Sequence, residues 1–255
     1  MLEKHPPEMH YGCGGREAPT PSDQGSALTT SRTFISTGAG AVRAEIVSPV
    51  GTVTVTTDPT ITNAVITVST PDDNGPYATA IEHATHDERP TQGMEGIRVE
   101  VPEPHGTETP QGHSADNVTV DVRLPDDGSS IVLTSNSADL TVYGDLQTLS
   151  LFSHSGGVRA EGVHTLRAVT STGDIEAQRV DHQVDIATNS GNVTIGAYSG
   201  SEFRAHTATG KVRVSATPAA AGGMDIRTRT GEVTTRGTDD LDERIITGSG
   251  AHYRH

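Results

Sequence analysis

The chain contains no tryptophan, three phenylalanines, five tyrosines, one cysteine and two lysines among its 255 residues. Each scarcity excludes something. Too few aromatics are present to build a broad platform for stacking sugar rings. Cys13 alone cannot make an intrachain disulfide or a redox pair. No apolar run reaches the length of a membrane span, and Met1 to Gly12 lacks the apolar core of a secretory or lipoprotein leader. Read as written, the chain is therefore expected to be soluble and cytoplasmic, without direct membrane insertion. Cationic charge is almost all arginine, with only Lys4 and Lys211 besides, and the net charge of −15 argues against nucleic acid or an anionic bilayer as partner. No segment carries an apolar stripe at helical spacing.

What the chain does have is a repeat, anchored on a Ser/Thr-Gly turn. Gly156, Gly173, Gly191, Gly210 and Gly231 are the anchors, with Ala138 in the same slot one unit earlier, at intervals of 18, 17, 18, 19 and 21 residues. Seven residues before the anchor stand Ile131, Leu149, Leu166, Val184, Phe203 and Met224, and five before it Leu133, Leu151, Ala168, Ile186, Ala205 and Ile226. Two after it stand Leu140, Val158, Ile175, Val193, Val212 and Val233. Alternation with period two on both sides of a turn describes strand, corner, strand, with one face of each strand buried. A single unit cannot bury that face, so the units must stack. The fold class expected is all-β, a parallel, β-helix-like solenoid of about eighteen-residue coils climbing about 4.8 Å each. The anchor glycines are expected to supply a positive φ at the corner. The left-handed hexapeptide helix and the calcium-binding nonapeptide roll are excluded, since the apolar offsets do not recur every sixth position and the Gly-Gly-x-Gly-x-Asp motif is absent.

Polar columns accompany the apolar ones. Ser/Thr recurs one and three residues before the anchor, from Ser137 and Ser135 to Thr230 and Thr228, as expected of corner hydroxyls that bond one another or turn amides. Six residues before the anchor the outward column reads Arg167, Asp185, Arg204, Asp225 and, in a terminal unit, Arg244. In a parallel stack these would form an ion-pair ladder with Asp185 between Arg167 and Arg204, each exposed pair contributing about 0–1 kcal/mol.

Residues 131–250 form the regular solenoid in this reading. Residues 33–130 continue the same sheet system less regularly, with strands at Ala44 to Val47, Val53 to Thr56, Ala64 to Ser69, Ile97 to Val101 and Val118 to Leu124, and with long loops at 71–96 and 102–116. The first 32 residues, with Pro6, Pro7, Pro19 and Pro21, are expected to be a disordered leader.

Few residues offer chemistry. His83 and His86, followed by Asp87 and Glu88, have the donor types for a divalent ion, but the spacing is specific to no metal and solvated loop histidines are the expected outcome. Asp174, Glu176 and Asp185 invite comparison with β-helical enzymes acting on polysaccharides. In this register they do not converge, and Glu176 is placed to pair with Arg159 one coil below. Neither catalytic nor cofactor-binding residues are assigned. Phe152, Tyr143 and Tyr198 are expected to point outward or into a corner, and would be the best contact patch if they cluster.

The phrases Thr170-Ser-Thr-Gly-Asp-Ile-Glu-Ala177, Thr188-Asn-Ser-Gly-Asn-Val-Thr-Ile195 and Thr228-Arg-Thr-Gly-Glu-Val-Thr-Thr235 resemble the bacterial "putative adhesin" family of β-strand-repeat proteins. The resemblance covers roughly residues 33–250 and implies a β-solenoid associated with the cell envelope, with no catalytic residues to carry over. The function expected is a non-enzymatic binding or scaffolding module, monomeric, with an unidentified protein or envelope component as partner. The alternatives are a β-helical polysaccharide-active enzyme and a self-assembling structural solenoid, the latter opposed by Asp239, Asp240, Asp242 and Glu243 on the final coil.

Overall fold

A computed structural model describes residues 30–90, 94–104, 117–126 and 128–255. The leader expected at 1–32 and the loop at 102–116 lie largely outside these residues. Thr30 to Arg32 already belong to a strand.

Among the described residues sixteen strands and one helix follow in chain order. The amino-terminal part holds β1 (Thr30–Ile35), β2 (Val42–Asp58), β3 (Val65–Thr70), α1 (Pro76–Glu82), β4 (Thr85–Glu88), β5 (Glu95–Glu100) and β6 (Thr119–Pro125). The repeats hold β7 (Ser130–Ser153), β8 (Val158–Thr172), β9 (Ile175–Ser190), β10 (Val193–Tyr198), β11 (Glu202–Thr209), β12 (Val212–Ala216), β13 (Gly223–Thr230), β14 (Val233–Arg236), β15 (Asp242–Thr247) and β16 (His252–Arg254). The chain is an all-β parallel solenoid of about seven turns, spaced about nineteen residues apart.

The apolar columns form its core. Leu140, Val158, Ile175, Val193, Val212 and Val233 are successive Cα partners along one flank. Leu166, Val184, Phe203 and Met224 are partners along the other, and all of these side chains are buried. A further interior column, Leu146–Val163–Val180–Tyr198, closes each of the middle coils beyond an irregular step in the ladder. Tyr198 is therefore core, not outward or in a corner. Its ring meets Phe203 edge-on at 5.3 Å, and burial pushes its hydroxyl pKa up to about 12.

Glycine occupies the corners for a reason other than φ. Among the five anchors only Gly210 lies at positive φ. At each of them an added Cβ would fall 1.9–2.2 Å from the carbonyl oxygen of the corner one coil below: Ala138 under Gly156, Gly156 under Gly173, Gly173 under Gly191, Gly191 under Gly210 and Gly210 under Gly231. Backbone stands on backbone there, and only a residue without Cβ permits it. Gly51 in β2 meets the Val118 carbonyl in the same way, here also with φ +120°.

The amino-terminal part departs from simple stacking. β2 pairs in parallel with β7 on one edge, and on the other with β5 along one flank and β6 along the next. The coil made by β5 and β6 therefore lies outside β2, although it follows β2 in sequence. β3 and β1 then add antiparallel to β6, and β4 antiparallel to β5.

Segment 71–96 is not one long loop. It contains α1, β4 and the start of β5. Pro76 opens the helix where a missing N–H costs nothing. Ala78, Ala80 and Ile81 are its buried side. Seven residues are too few to show a helical stripe in the sequence. Arg32 of β1 donates to the carbonyls of Glu82 and Ala84, both at 2.6 Å, and so fastens the helix end.

Asp58 at the end of β2 accepts from the Thr60 hydroxyl at 2.5 Å and its amide at 2.8 Å, and from Arg123 of β6 at 2.5 Å. Thr60 first and Arg123 second hold its pKa at about 2, against an ordinary 3.8. Because the folded value is depressed, this contribution to stability is present above about pH 4 and is lost as pH falls toward 2. A carboxyl-resolved NMR titration should place the Asp58 midpoint near 2, and Arg123→Ala should move it upward.

Replacing Gly191 by alanine should lower stability by about 1–3 kcal/mol, because the Gly173 carbonyl cannot step aside without parting two coils. The same change at Gly223, where a Cβ meets nothing within 4 Å, should shift stability by about 0.5 kcal/mol or less. Urea denaturation of the two variants measures both.

Candidate functional site

The glycine corners open onto a groove of about 460 Å3, lined by Asp139, Gly157, Arg159, Asp174 and Glu176 among others. Asp139 and Asp174 sit one residue after the anchor, where β-strand register brings successive coils into line. Asp139 Oδ1 accepts the amide of Gly157 at 2.8 Å. Asp174 Oδ1 accepts both the amide of Asn192 at 2.8 Å and its side-chain Nδ2 at 3.1 Å. Asn192 Oδ1 in turn accepts the amide of Lys211 at 3.0 Å. Each acidic or amide side chain thus caps the N–H of the coil that follows, at a position where the ladder leaves that donor otherwise unmet.

Glu176 faces Arg159 at 3.6 Å, and both side chains are exposed. Asp185 lies on the other flank, paired in register with Arg167 and Arg204. Asp174 and Glu176 both line the groove and Asp185 does not, so the three are not brought together.

His83 and His86 are also separate. His83 caps α1 with Nδ1 2.8 Å from the Thr79 carbonyl, whereas His86 lies on β4 with its ring 5.1 Å from Phe34. Among the described residues no group of three or more His, Cys, Asp or Glu is placed to hold a metal. One imidazole pair escapes a sequence reading: His164 and His182 stack at 4.9 Å and 17° across neighbouring coils. Its signal is the register of the bulged corner, which shifts between Val163 and Thr165.

Corner hydroxyls serve the stack unevenly. Ser135 and Ser153 bond each other at 3.0 Å, and Thr170 donates to the Gly156 carbonyl at 3.3 Å. The buried Thr188 and Thr228 hydroxyls have no partner among the described residues.

The charged column stands in line: Arg167 opposite Asp185, Asp185 opposite Arg204, Arg204 opposite Asp225, and Asp225 opposite Arg244. The ion pairs, however, form along strands rather than across them. Arg204 reaches Glu202 at 2.5 Å, and Arg227 reaches Asp225 at 2.7 Å and, through that hydrogen bond first, holds its carboxyl below the ordinary range. Two residues toward the corner runs a second outward column, Phe152, Val169, Ala187, His206, Arg227 and Ile246. Phe152, Val169 and Ile246 are 47%, 49% and 45% exposed. Tyr143 lies on the opposite flank, in line with Thr56, so the aromatics do not form one patch.

A parallel solenoid whose corner carboxylates cap its own backbone is the class of molecule these features define. The family described as "Toastrack DUF4097" matches residues 61–247, and the chain belongs to it. Among solved structures, one called a "putative adhesin" from Bacteroides fragilis is 13% identical with a TM-score of 0.56, covering 90% of this chain and 98% of its own. A "putative adhesin" from Parabacteroides distasonis is 13% identical with a TM-score of 0.47, covering 90% and 98% respectively. A "putative lipid binding protein" from the same organism is 12% identical with a TM-score of 0.42, covering 89% and 97%. The first of these likenesses bears on the fold, and all three sources are bacteria. No curated protein matches the chain.

Removing the Asp174 cap with Asp174→Ala should cost about 1–2 kcal/mol, since it leaves the Asn192 amide without its acceptor. Glu176→Gln, which breaks only an exposed pair, should cost about 0–1 kcal/mol. Parallel thermal and urea unfolding of the two variants would distinguish a structural carboxylate from a surface one.

Proposed function

We infer that the chain is a non-enzymatic, adhesin-like binding or scaffolding protein acting at the bacterial cell envelope. The observation that carries this reading is the use of Asp174, whose Oδ1 is held by two donors of the next coil. The carboxylates of the groove beside it serve the stack, since Asp139 and Asp174 each cap a backbone N–H and Glu176 faces Arg159. The name of its structural neighbour from Bacteroides fragilis, a "putative adhesin", is in keeping with a surface role. Contact would come from the outer strand faces and from segment 71–96, where α1 and β4 project from the stack, with a protein or an envelope component as partner. Neither nucleic acid nor the bilayer interior fits a chain of net charge −15. No helix among the described residues is long and apolar enough to cross a membrane.

Fractionation of the native host into cytosol, membrane, wall and medium, with and without a salt wash, tests location. Recovery in an envelope fraction is expected, and recovery only in the cytosol would remove the envelope role. Turnover of an envelope glycan, abolished by Asp174→Asn or Asp185→Asn in protein that remains folded, would overturn the non-enzymatic reading.

A further inference from the structure

The outer face of the flank that precedes each glycine corner carries two adjacent columns with a shared symmetry. In the first, Arg167, Asp185, Arg204 and Asp225 alternate in sign at every strand. In the second, Phe152 and Val169 stand at one end and Arg227 and Ile246 at the other, with Ala187 and His206 between. A shallow hollow of about 570 Å3 lies along this second column.

Consider a two-fold axis in the plane of this face, parallel to the strands, and level with the gap between β9 and β11. It turns a second copy over, reverses its coil order and leaves each column facing itself. Asp185 then meets Arg204 of the other copy, and Arg167 meets Asp225. In the neighbouring column Phe152 meets Ile246, Val169 meets the stem of Arg227, and Ala187 meets His206. Among the described residues the side chains of Arg167 and Asp185 form no ion pair, although their strands are paired. Charges that change sign at every step of about 4.8 Å are matched by another stacked sheet. A C2 interface demands this kind of self-complementarity.

We propose that this face is the interface of an antiparallel homodimer, in which two solenoids pack sheet to sheet with opposite coil direction. Six coils by three outward columns, the third running beside the charged one through Thr148, Thr165, Gln183, Glu202, Gly223 and Asp242, give a footprint of roughly 600 Å2 per copy. The total, about 1,200 Å2, is at the low end of specific interfaces, so a dissociation constant on the order of 1–100 µM is expected. This assigns the face to a second copy of the chain, in place of the monomer expected from the sequence, and it does not depend on where the protein acts.

Sedimentation velocity of the full chain across roughly 1–300 µM tests it. A reversible monomer–dimer equilibrium is expected, weakened in about 1 M salt. Phe152→Ser and Arg167→Glu, both at exposed positions, should each weaken the dimer about tenfold or more without lowering the melting temperature. Combining Arg167→Glu with Asp225→Arg should restore affinity to within about threefold of wild type, because the two residues face each other across the axis. Should that double variant not fold, Asp185→Arg with Arg204→Asp makes the same exchange at the central pair. A chain monomeric throughout, an assembly that grows beyond the dimer, a dimer indifferent to Phe152→Ser, or a folded charge exchange that fails to restore affinity would each overturn the proposal.

Discussion

Close approach of the backbone at one corner governs this molecule. Each anchor glycine lies over the carbonyl of the corner residue beneath it, nearer than any Cβ would allow. With the corners in that contact, the flanks on either side are held at hydrogen-bonding distance and in fixed register. A strand that slipped by one residue would turn its apolar column outward. The glycine column thus has consequences well beyond its own turn. It sets the spacing at which Leu140 stacks on Val158 and Leu166 on Val184, and hence the continuity of the core. The same constraint recurs at Gly51 over Val118, so the coil built by β2 obeys it too.

Once the corners are fixed, the polar residues around them have prescribed tasks. Asp139, Asp174 and Asn192 each accept from the following coil, and their side chains continue the ladder where the backbone turns. What is left for recognition is the outer surface of the flanks and the excursions from them. There arginines and carboxylates pair both along a strand, as Arg204 does with Glu202, and between coils, as Arg159 does with Glu176.

The two ends of the solenoid are managed differently. At the amino-terminal end β1, β3 and β4 turn antiparallel, so the parallel ladder does not present another copy with a matching edge. At the other end β15 and β16 are largely exposed, and Arg254 pairs with Asp239 at 3.0 Å and Glu243 at 3.7 Å. Charge there, and reversed strand direction at the opposite end, both work against end-to-end growth into a filament.

Periodicity alone determined the fold class, because burial with period two and a glycine every eighteen or so residues admit few arrangements other than a stack. The membership of the interior columns at offsets of seven, five and two was legible for the same reason. Other features depended on tertiary placement. The helix Pro76–Glu82 is too short to leave a stripe, and it exists because Ala78, Ala80 and Ile81 find cover beside β1 and β3. The position of β5 and β6 outside β2 inverts chain order, which no repeat records. The column ending in Tyr198 follows bulges that shift its offset, so a fixed period misses it. The role of glycine was misread from sequence, since a φ requirement and a steric one select the same residue, and only the neighbouring coil tells them apart. At the candidate site, the sequence placed Asp174 at a corner and Glu176 beside Arg159, but which atoms Asp174 would bond was decided by the coil stacked above it, through contacts that local sequence does not encode.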